Sequence, residues 1–346
     1  MMWETRQIED LTKDALPRLL GEDEDRALFT KYEHTRDRVV VDILPEIKGK
    51  LPEHTDHGPG HVKHVLDNVV RLLGEDCIGH DRQGSLSALE AYCLLEFILY
   101  HDVGNIYGRE GHQYHVGEAY DYVHSKADSD SQEKMLVMRA AAAHCGEASD
   151  GSTDTLKDLP ETDHLLGRPV RLRDLVAILR LADELAEGPQ RTSTFMMNHG
   201  YPVDSLIYHK YAKASNICID RQYGRIAITY QVDVETNDGS LTANARKELE
   251  ELLLFIDKRA TKVYEEMLYT TYYSHFLEPF KAVSITEKFW INGSCTDLGL
   301  EPVILEAYTF PGRSESLLST TDPTYKPASV IKKVQEEVRS VHRNAL

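Results

Sequence analysis

Residues 89–105 read LEAYCLLEFILYHDVGN, and this stretch decides how the chain folds. Up to Tyr100 the run is apolar on nearly every side, which is typical of a helix in the interior of a helical bundle. His101 and Asp102 then close the helix. In isolation the pair is most simply a helix C-cap, in which His101 meets the last carbonyls and Asp102 is solvated. If the pair is buried, something must satisfy the imidazole and the carboxylate, and a divalent metal ion satisfies both.

Two other stretches carry similar donors. Residues 56–65 read DHGPGHVKHV, where Gly and Pro form a turn into a helix and His61 lies in the first turn of that helix. Residues 178–185 read ILRLADEL and place Asp183 near the end of another apolar helix. The alternative for Asp183 is a surface pair with Arg180. Four donors therefore come from three separate helices: His61, His101, Asp102 and Asp183.

This set resembles the HD superfamily of metal-dependent phosphohydrolases, whose defining ligands are a His, a His-Asp doublet and a distal Asp. The resemblance spans about residues 55–187 and implies a helical bundle that binds metal through the four donors. It also implies a second metal site, for which His115 and His144 match the family pattern and His112 is an alternative to His115. Without such a site, His115 is a surface residue and the helix dipole stabilises His144.

The resemblance implies one or two divalent ions of Mn, Fe, Ni, Mg or Zn. It makes Asp102 the bridge between two ions and places His115 and His144 beside it as catalytic residues. Asn105 stands where the family often has a basic residue, which removes one phosphate contact. Weaker substrate-binding candidates follow from proximity in the sequence alone: His57, Lys63, His64, Arg109, His112 and Arg180.

Three functions are compatible with these residues. The first is hydrolysis of a phosphate ester, as a phosphomonoesterase or phosphodiesterase acting on a nucleotide, by a metal-activated water. The second is oxygen activation, because a di-iron branch of the HD fold uses the same six ligands. The third is a non-catalytic nucleotide-sensing or effector module, similar to HD proteins found in bacterial conflict and signalling systems.

The composition limits the classes of molecule that the protein can bind. With 57 acidic and 39 basic residues the formal charge is −18, which disfavours binding to extended duplex nucleic acid. A small anionic substrate stays compatible, because bound divalent ions make a pocket locally positive. No apolar run approaches the ~20 residues of a membrane span and the N-terminus lacks a secretory pattern, so we expect a cytoplasmic protein without membrane contact.

The five cysteines are scattered and form no Cys-x-x-Cys pair. This spacing argues against a disulfide framework and against a thiolate zinc site. We expect reduced thiols, most of them buried.

The chain is predicted to be mainly α, in three parts. Residues 1–50 form N-terminal helices that pack on the core, 51–195 an HD metal-binding helical domain, and 196–346 an α+β appendage. In the appendage, period-two alternation predicts a β-hairpin over 216–232, followed by a long helix over 242–269 and a last helix over 327–343. Residues 289–291 and 302–308 are further strand candidates. Three roles stay open for the appendage: closing over the pocket, binding a partner, or forming a homo-oligomer.

Overall fold

The computed structural model describes residues 3–20, 22–80, 82, 84–124, 130–237, 240–307 and 318–344. The chain divides into two compact units, Met1–Ala186 with Tyr269–Pro279 and Glu187–Leu268 with Phe280–Leu346. The mainly α class is confirmed. The division of the chain into the three parts 1–50, 51–195 and 196–346 stays a prediction.

Helices dominate the first unit, with one short antiparallel strand pair. A π-helical turn over Val39–Ile43 joins the second helix to the third, and 3₁₀ turns over Val103–Tyr107 and His112–Tyr114 follow the fifth. The elements are α1 (Gln7–Leu20), α2 (Glu22–Arg38), α3 (Leu44–Lys50), α4 (Pro59–Leu73), α5 (Ala88–Tyr100), α6 (Val116–Val123), α7 (Ser131–Ala143), β1 (Asp163–Leu165), β2 (Arg168–Val170) and α8 (Leu172–Glu184).

Helix α5 is the centre of this unit. All its residues are buried, as its uniformly apolar sequence predicts, and it packs against α1, α2, α4, α7 and α8. A capping box fixes its start: Ser87 accepts a hydrogen bond from the Glu90 N–H, and the Glu90 side chain accepts one from the Ser87 N–H. Arg171 also binds the Glu90 carboxylate. Helix α5 is thereby held in a fixed register, and His101 and Asp102 follow directly from its buried end.

One carboxyl group on α5 is buried without compensation. The Glu96 side chain is 1% exposed, and neither of its oxygens has a hydrogen-bond partner among the residues that the structure describes. By contrast, the nearby Glu133 accepts hydrogen bonds from Tyr92 and Tyr120 and pairs with Lys31 at 2.7 Å. Burial and the charge of Glu133 raise the pKa of Glu96 well above its ordinary range.

We expect Glu96→Met to raise the free energy of unfolding by about 1–3 kcal/mol at pH 8, because it removes an unsatisfied buried carboxyl. The folded chain keeps the Glu96 proton while the unfolded chain releases it above its ordinary pKa. Stability therefore falls as the pH rises from that value toward the folded-state pKa, and the gain should shrink at pH 4. Urea denaturation at both pH values measures the effect.

Glu133→Met is the matched control for this prediction. It should destabilise the protein, because it strands the two tyrosine hydroxyls and the Lys31 ammonium. A loss of stability in Glu96→Met at both pH values would contradict the prediction and show that the carboxyl has a required partner, since Glu96, His124 and Glu133 have donor atoms within 4.8 Å of one another.

The second unit is an α+β arrangement. Its elements are α9 (Thr194–His199), α10 (Leu206–Ala214), β3 (Ser215–Asp220), β4 (Arg225–Val234), α11 (Ala243–Tyr273, whose residues from Tyr269 belong to the first unit), β5 (Ala282–Ile291), β6 (Ser294–Thr296), β7 (Val303–Glu306), α12 (Leu318–Thr321) and α13 (Pro327–Asn344). No helix in the described part of the chain is long and apolar enough to cross a membrane.

The predicted hairpin is confirmed as β3 and β4, which pair antiparallel with Ser215 opposite Tyr230. The predicted strand segment 289–291 lies in β5, and the segment 302–308 overlaps β7, which covers only Val303–Glu306; Tyr308 is outside the described residues. Strand β5 runs parallel to β4, while β6 and β7 pair antiparallel with the other edge of β5. The long helix and the last helix are also confirmed, as α11 and α13.

Candidate metal centre

Three helix ends converge in the first unit and bring four predicted donors together. His61 lies in the first turn of α4, the His101–Asp102 pair follows α5, and Asp183 lies at the end of α8. His61 Nε2 is 3.0 Å from Asp183 Oδ1 and 3.4 Å from His101 Nε2, and His101 Nε2 is 3.7 Å from the same Asp183 oxygen. Both histidines are essentially buried, so they face each other and the carboxylate out of water.

The Asp102 carboxylate lies in the middle of this cluster and directs its two oxygens to different sides. Oδ2 lies 3.3 Å from His101 Nε2 and 3.8 Å from His61 Nε2. The same oxygen is 2.7 Å from Nδ1 of His57, a residue that the sequence offered only as a weak candidate. This side of Asp102 therefore belongs with His61, His101 and Asp183.

The other oxygen of Asp102 faces a second pair of imidazoles. Oδ1 lies 3.2 Å from His112 Nε2 and 3.8 Å from His144 Nε2. His115, the first choice from sequence, lies outside the cluster: it is exposed, with its ring 5.6 Å from that of Tyr107. The apolar positions after His115 predicted helix α6 correctly. His115 precedes the first residue of α6 and is exposed, whereas His112 is buried in the 3₁₀ turn before it.

Backbone carbonyls orient three of the histidines in the same way. The Nδ1 of each lies within hydrogen-bond distance of the carbonyl oxygen three residues earlier in the chain: His101 on Ile98 (2.8 Å), His112 on Arg109 (3.0 Å) and His144 on Ala141 (2.6 Å). Because a carbonyl oxygen only accepts, each Nδ1 carries a proton, and each Nε2 is directed into the cluster. Metal-binding histidines are held in this way, with Nδ1 on a backbone carbonyl and Nε2 toward the ion.

The pKa values of the cluster show how its charges balance when no metal ion is bound. Burial alone would lower the pKa of His101, but Asp102 and Asp183 outweigh it and raise the pKa to about 10. Burial opposes ionisation of both aspartates, yet the facing histidines hold their pKa values well below the ordinary range. Burial and the charge on His101 lower the pKa of His144 to about 3. A proton thus occupies the cluster when metal is absent, and a metal ion has to displace it.

Asn105, three residues after Asp102, holds the central carboxylate. It is fully buried, and its Nδ2 donates to Asp102 Oδ1 at 2.8 Å and to the Asp102 carbonyl at 3.0 Å. Its Oδ1 accepts a hydrogen bond from Arg109, whose side chain is 47% exposed and lies 3.7 Å from Asp102 Oδ1. The sequence predicts only the loss of a phosphate contact at Asn105. In the structure, Asn105 positions the Asp102 carboxylate and holds the Arg109 guanidinium beside the cluster.

Gly104, in the His-Asp-Val-Gly stretch, allows the turn that carries His112 to lie close to the turn after Asp102. A Cβ at this position would overlap the His112 carbonyl oxygen and lie 2.8 Å from its carbonyl carbon. The 3₁₀ turn that carries His112 can therefore pack against the turn after Asp102 only because residue 104 has no side chain.

The remaining weak candidates are Lys63, His64 and Arg180. Lys63 packs over the Trp3 ring at 5.1 Å, and His64 is half-buried on α4. Arg180 donates to the Ala143 carbonyl and to Thr155 Oγ1, so it supports the end of α7 just before His144. For Arg180 these contacts indicate a positioning role.

Cys145 joins the second pair of histidines. The His112, His144 and Cys145 donor atoms lie within 4.8 Å of one another, and Cys145 Sγ is 3.7 Å from His112 Nε2. Burial and Asp102 raise the pKa of the metal-free thiol to about 12. The expectation that most thiols are buried is wrong: all are free, but Cys93 alone of the five is buried.

The geometry agrees with a comparison against known families. A family model described as HD-CE matches residues 51–262, more than half of the chain. No curated protein and no solved structure matches the chain.

Proposed function

The chain belongs to the HD-CE family, and on that premise we propose that its first unit hydrolyses a phosphate ester with two adjoining divalent metal ions. One observation carries the proposal: the two oxygens of Asp102 face two separate sets of imidazoles. His61, His101 and Asp183 would hold one ion and His112 and His144 the other, with Asp102 between them. Mn, Fe, Ni, Mg and Zn are the candidate ions, and imidazole donors favour the transition metals among them.

Bound in this way, a metal pair lowers the pKa of a water toward neutrality and polarises phosphoryl oxygens. The protein's own residues supply orientation and charge. Hydrogen bonds to backbone carbonyls keep the Nε2 atoms of His101, His112 and His144 directed into the cluster, and Asn105 fixes the Asp102 carboxylate. The half-exposed Arg109 guanidinium would bind phosphate oxygens, because its planar fork can donate two parallel hydrogen bonds to a phosphate.

The substrate we propose is a small phosphate ester, with a nucleotide as the first class to test. The net charge of −18 repels long polyanions, while bound ions and Arg109 make one local exception. The nucleotide itself is supported by the resemblance to the HD superfamily.

A paired substitution tests the proposal. We expect His112→Ala to lower hydrolysis by more than about 100-fold and to reduce bound metal per chain, because a lost ligand costs more than a lost supporting residue. His115→Ala, three residues along and exposed, is the matched control and should stay within about twofold. Metal content by mass spectrometry, followed by a nucleotide panel with Mn, Mg, Ni and Fe, measures both effects.

Other results would point elsewhere. Tightly held iron with an oxygen-dependent absorption spectrum would favour a di-iron oxygenase. A stable nucleotide complex without turnover under every metal would favour a sensor. Equal losses in His112→Ala and His115→Ala would contradict the assignment of His112.

A further inference from the structure

Cys145 is placed by the end of helix α7. The helix stops at Ala143, His144 and Cys145 follow, and Gly146 then turns the chain with a φ of +86°. Because the chain leaves the helix here, two successive side chains can turn to the same side. His144 directs Nε2 toward Asp102, and the Cys145 sulfur lies 3.7 Å from His112 Nε2.

The distance between the sulfur and the imidazole fits two ligands of one ion. With a metal–nitrogen bond of ~2.1 Å, a metal–sulfur bond of ~2.3 Å and a tetrahedral angle, the two donor atoms lie roughly 3.6 Å apart. The observed separation is 3.7 Å. A tetrahedral ion at this point would therefore need almost no movement of either side chain.

The two halves of the centre then differ in chemistry. His61, His101 and Asp183 offer two nitrogens and a carboxylate oxygen, whereas His112, His144 and Cys145 offer two nitrogens and a sulfur. Thiolate is a soft ligand that selects Zn and similar ions, while carboxylate accepts Mg and Mn. The structure thus places a softer and a harder set of donors on either side of Asp102.

We propose that Cys145 is a thiolate ligand of the second ion, so that the half formed by His112, His144 and Cys145 takes Zn²⁺ or another thiophilic ion and the other half a harder one. This rests on the metal centre proposed above. On binding, the thiol proton passes to solvent and the sulfur lone pair forms the bond to the ion, so no oxidant or reductant is needed. The sequence argued against a thiolate site because it lacks Cys-x-x-Cys, but one cysteine joined to two histidines in space requires no such spacing.

Cobalt provides a direct test. The full chain, stripped with a chelator and titrated with Co²⁺, should develop a near-ultraviolet sulfur-to-cobalt charge-transfer band that saturates by the time both sites are filled. Cys145→Ser should lose this band while still binding cobalt, and should bind one of two Zn²⁺ ions at least about 10-fold more weakly. Cys218→Ser, at an exposed cysteine of the second unit, is the control and should keep the band.

Alkylation of the unmodified chain gives a second measurement. Zn²⁺ should slow the reaction of iodoacetamide with Cys145 and leave that of Cys218 unchanged, as followed by peptide mass spectrometry. Cobalt binding without a charge-transfer band, a band that survives in Cys145→Ser, or equal alkylation of Cys145 with and without Zn²⁺ would overturn the thiolate ligand and leave the metal centre standing. A chain that binds no Co²⁺ at all would overturn both.

Discussion

Gly104→Ala should remove the second metal ion from the protein and lower its stability by about 1–3 kcal/mol. The added methyl would overlap the His112 carbonyl, which is backbone and cannot rotate away as a flexible side chain could. The turn that carries His112 must move back, and the 3.2 Å approach of His112 Nε2 to Asp102 Oδ1 is lost. Metal per chain should fall from two ions to one, and hydrolysis should fall with it.

Gly49→Ala is the control for this substitution. Gly49 lies in helix α3, and a Cβ there would meet nothing within 4 Å. Alanine in a helix is favoured over glycine by roughly 0.5–1 kcal/mol, so this variant should be slightly more stable and should keep both ions. A Gly104→Ala protein that retains two ions would show that the two turns can separate without loss of the site.

The contrast between His61 and His112 shows how far the sequence could predict the site. His61, His101, Asp102 and Asp183 each lie at the end of a helix that the apolar pattern predicts, and the resemblance to the HD superfamily implies that the four donors meet. His112 lies in a segment of 3₁₀ turns between α5 and α6, where no period tells which side chain faces inward. The choice of His112 over His115 depends on the contact between Gly104 and the His112 backbone.

Other features depend on contacts that are distant in the sequence. The alternation in β3 and β4 predicted the hairpin, because its register is local. The parallel pairing of β4 with β5 joins strands separated by the whole of α11, and local periodicity does not encode it. The sequence did not predict Cys145 for the same reason, because Cys145 and His112 are far apart in the sequence and meet only in the folded chain.

Asp102→Asn should weaken both metal ions at once, which no other single substitution in the cluster is expected to do. Asparagine keeps the size of the side chain and can still accept from Asn105, but it removes the negative charge shared by the two sets of imidazoles. Each ion should bind more than about 100-fold more weakly, and hydrolysis should fall by at least ~10³-fold.

Two further variants make the Asp102→Asn result specific. Asp183→Asn should weaken only the ion held with His61 and His101, because Asp183 contacts that half alone among the described interactions. Asp121→Asn, at a surface carboxylate that is 59% exposed and paired with Lys134, should change neither ion. Isothermal titration of the metal-free proteins with Zn²⁺ and Mn²⁺ separates the two affinities, with circular dichroism to verify the fold. If Asp102→Asn weakens the binding of one ion and leaves the other unchanged, Asp102 is a ligand of a single site. The bridging role that the sequence resemblance implies would then not hold for this protein.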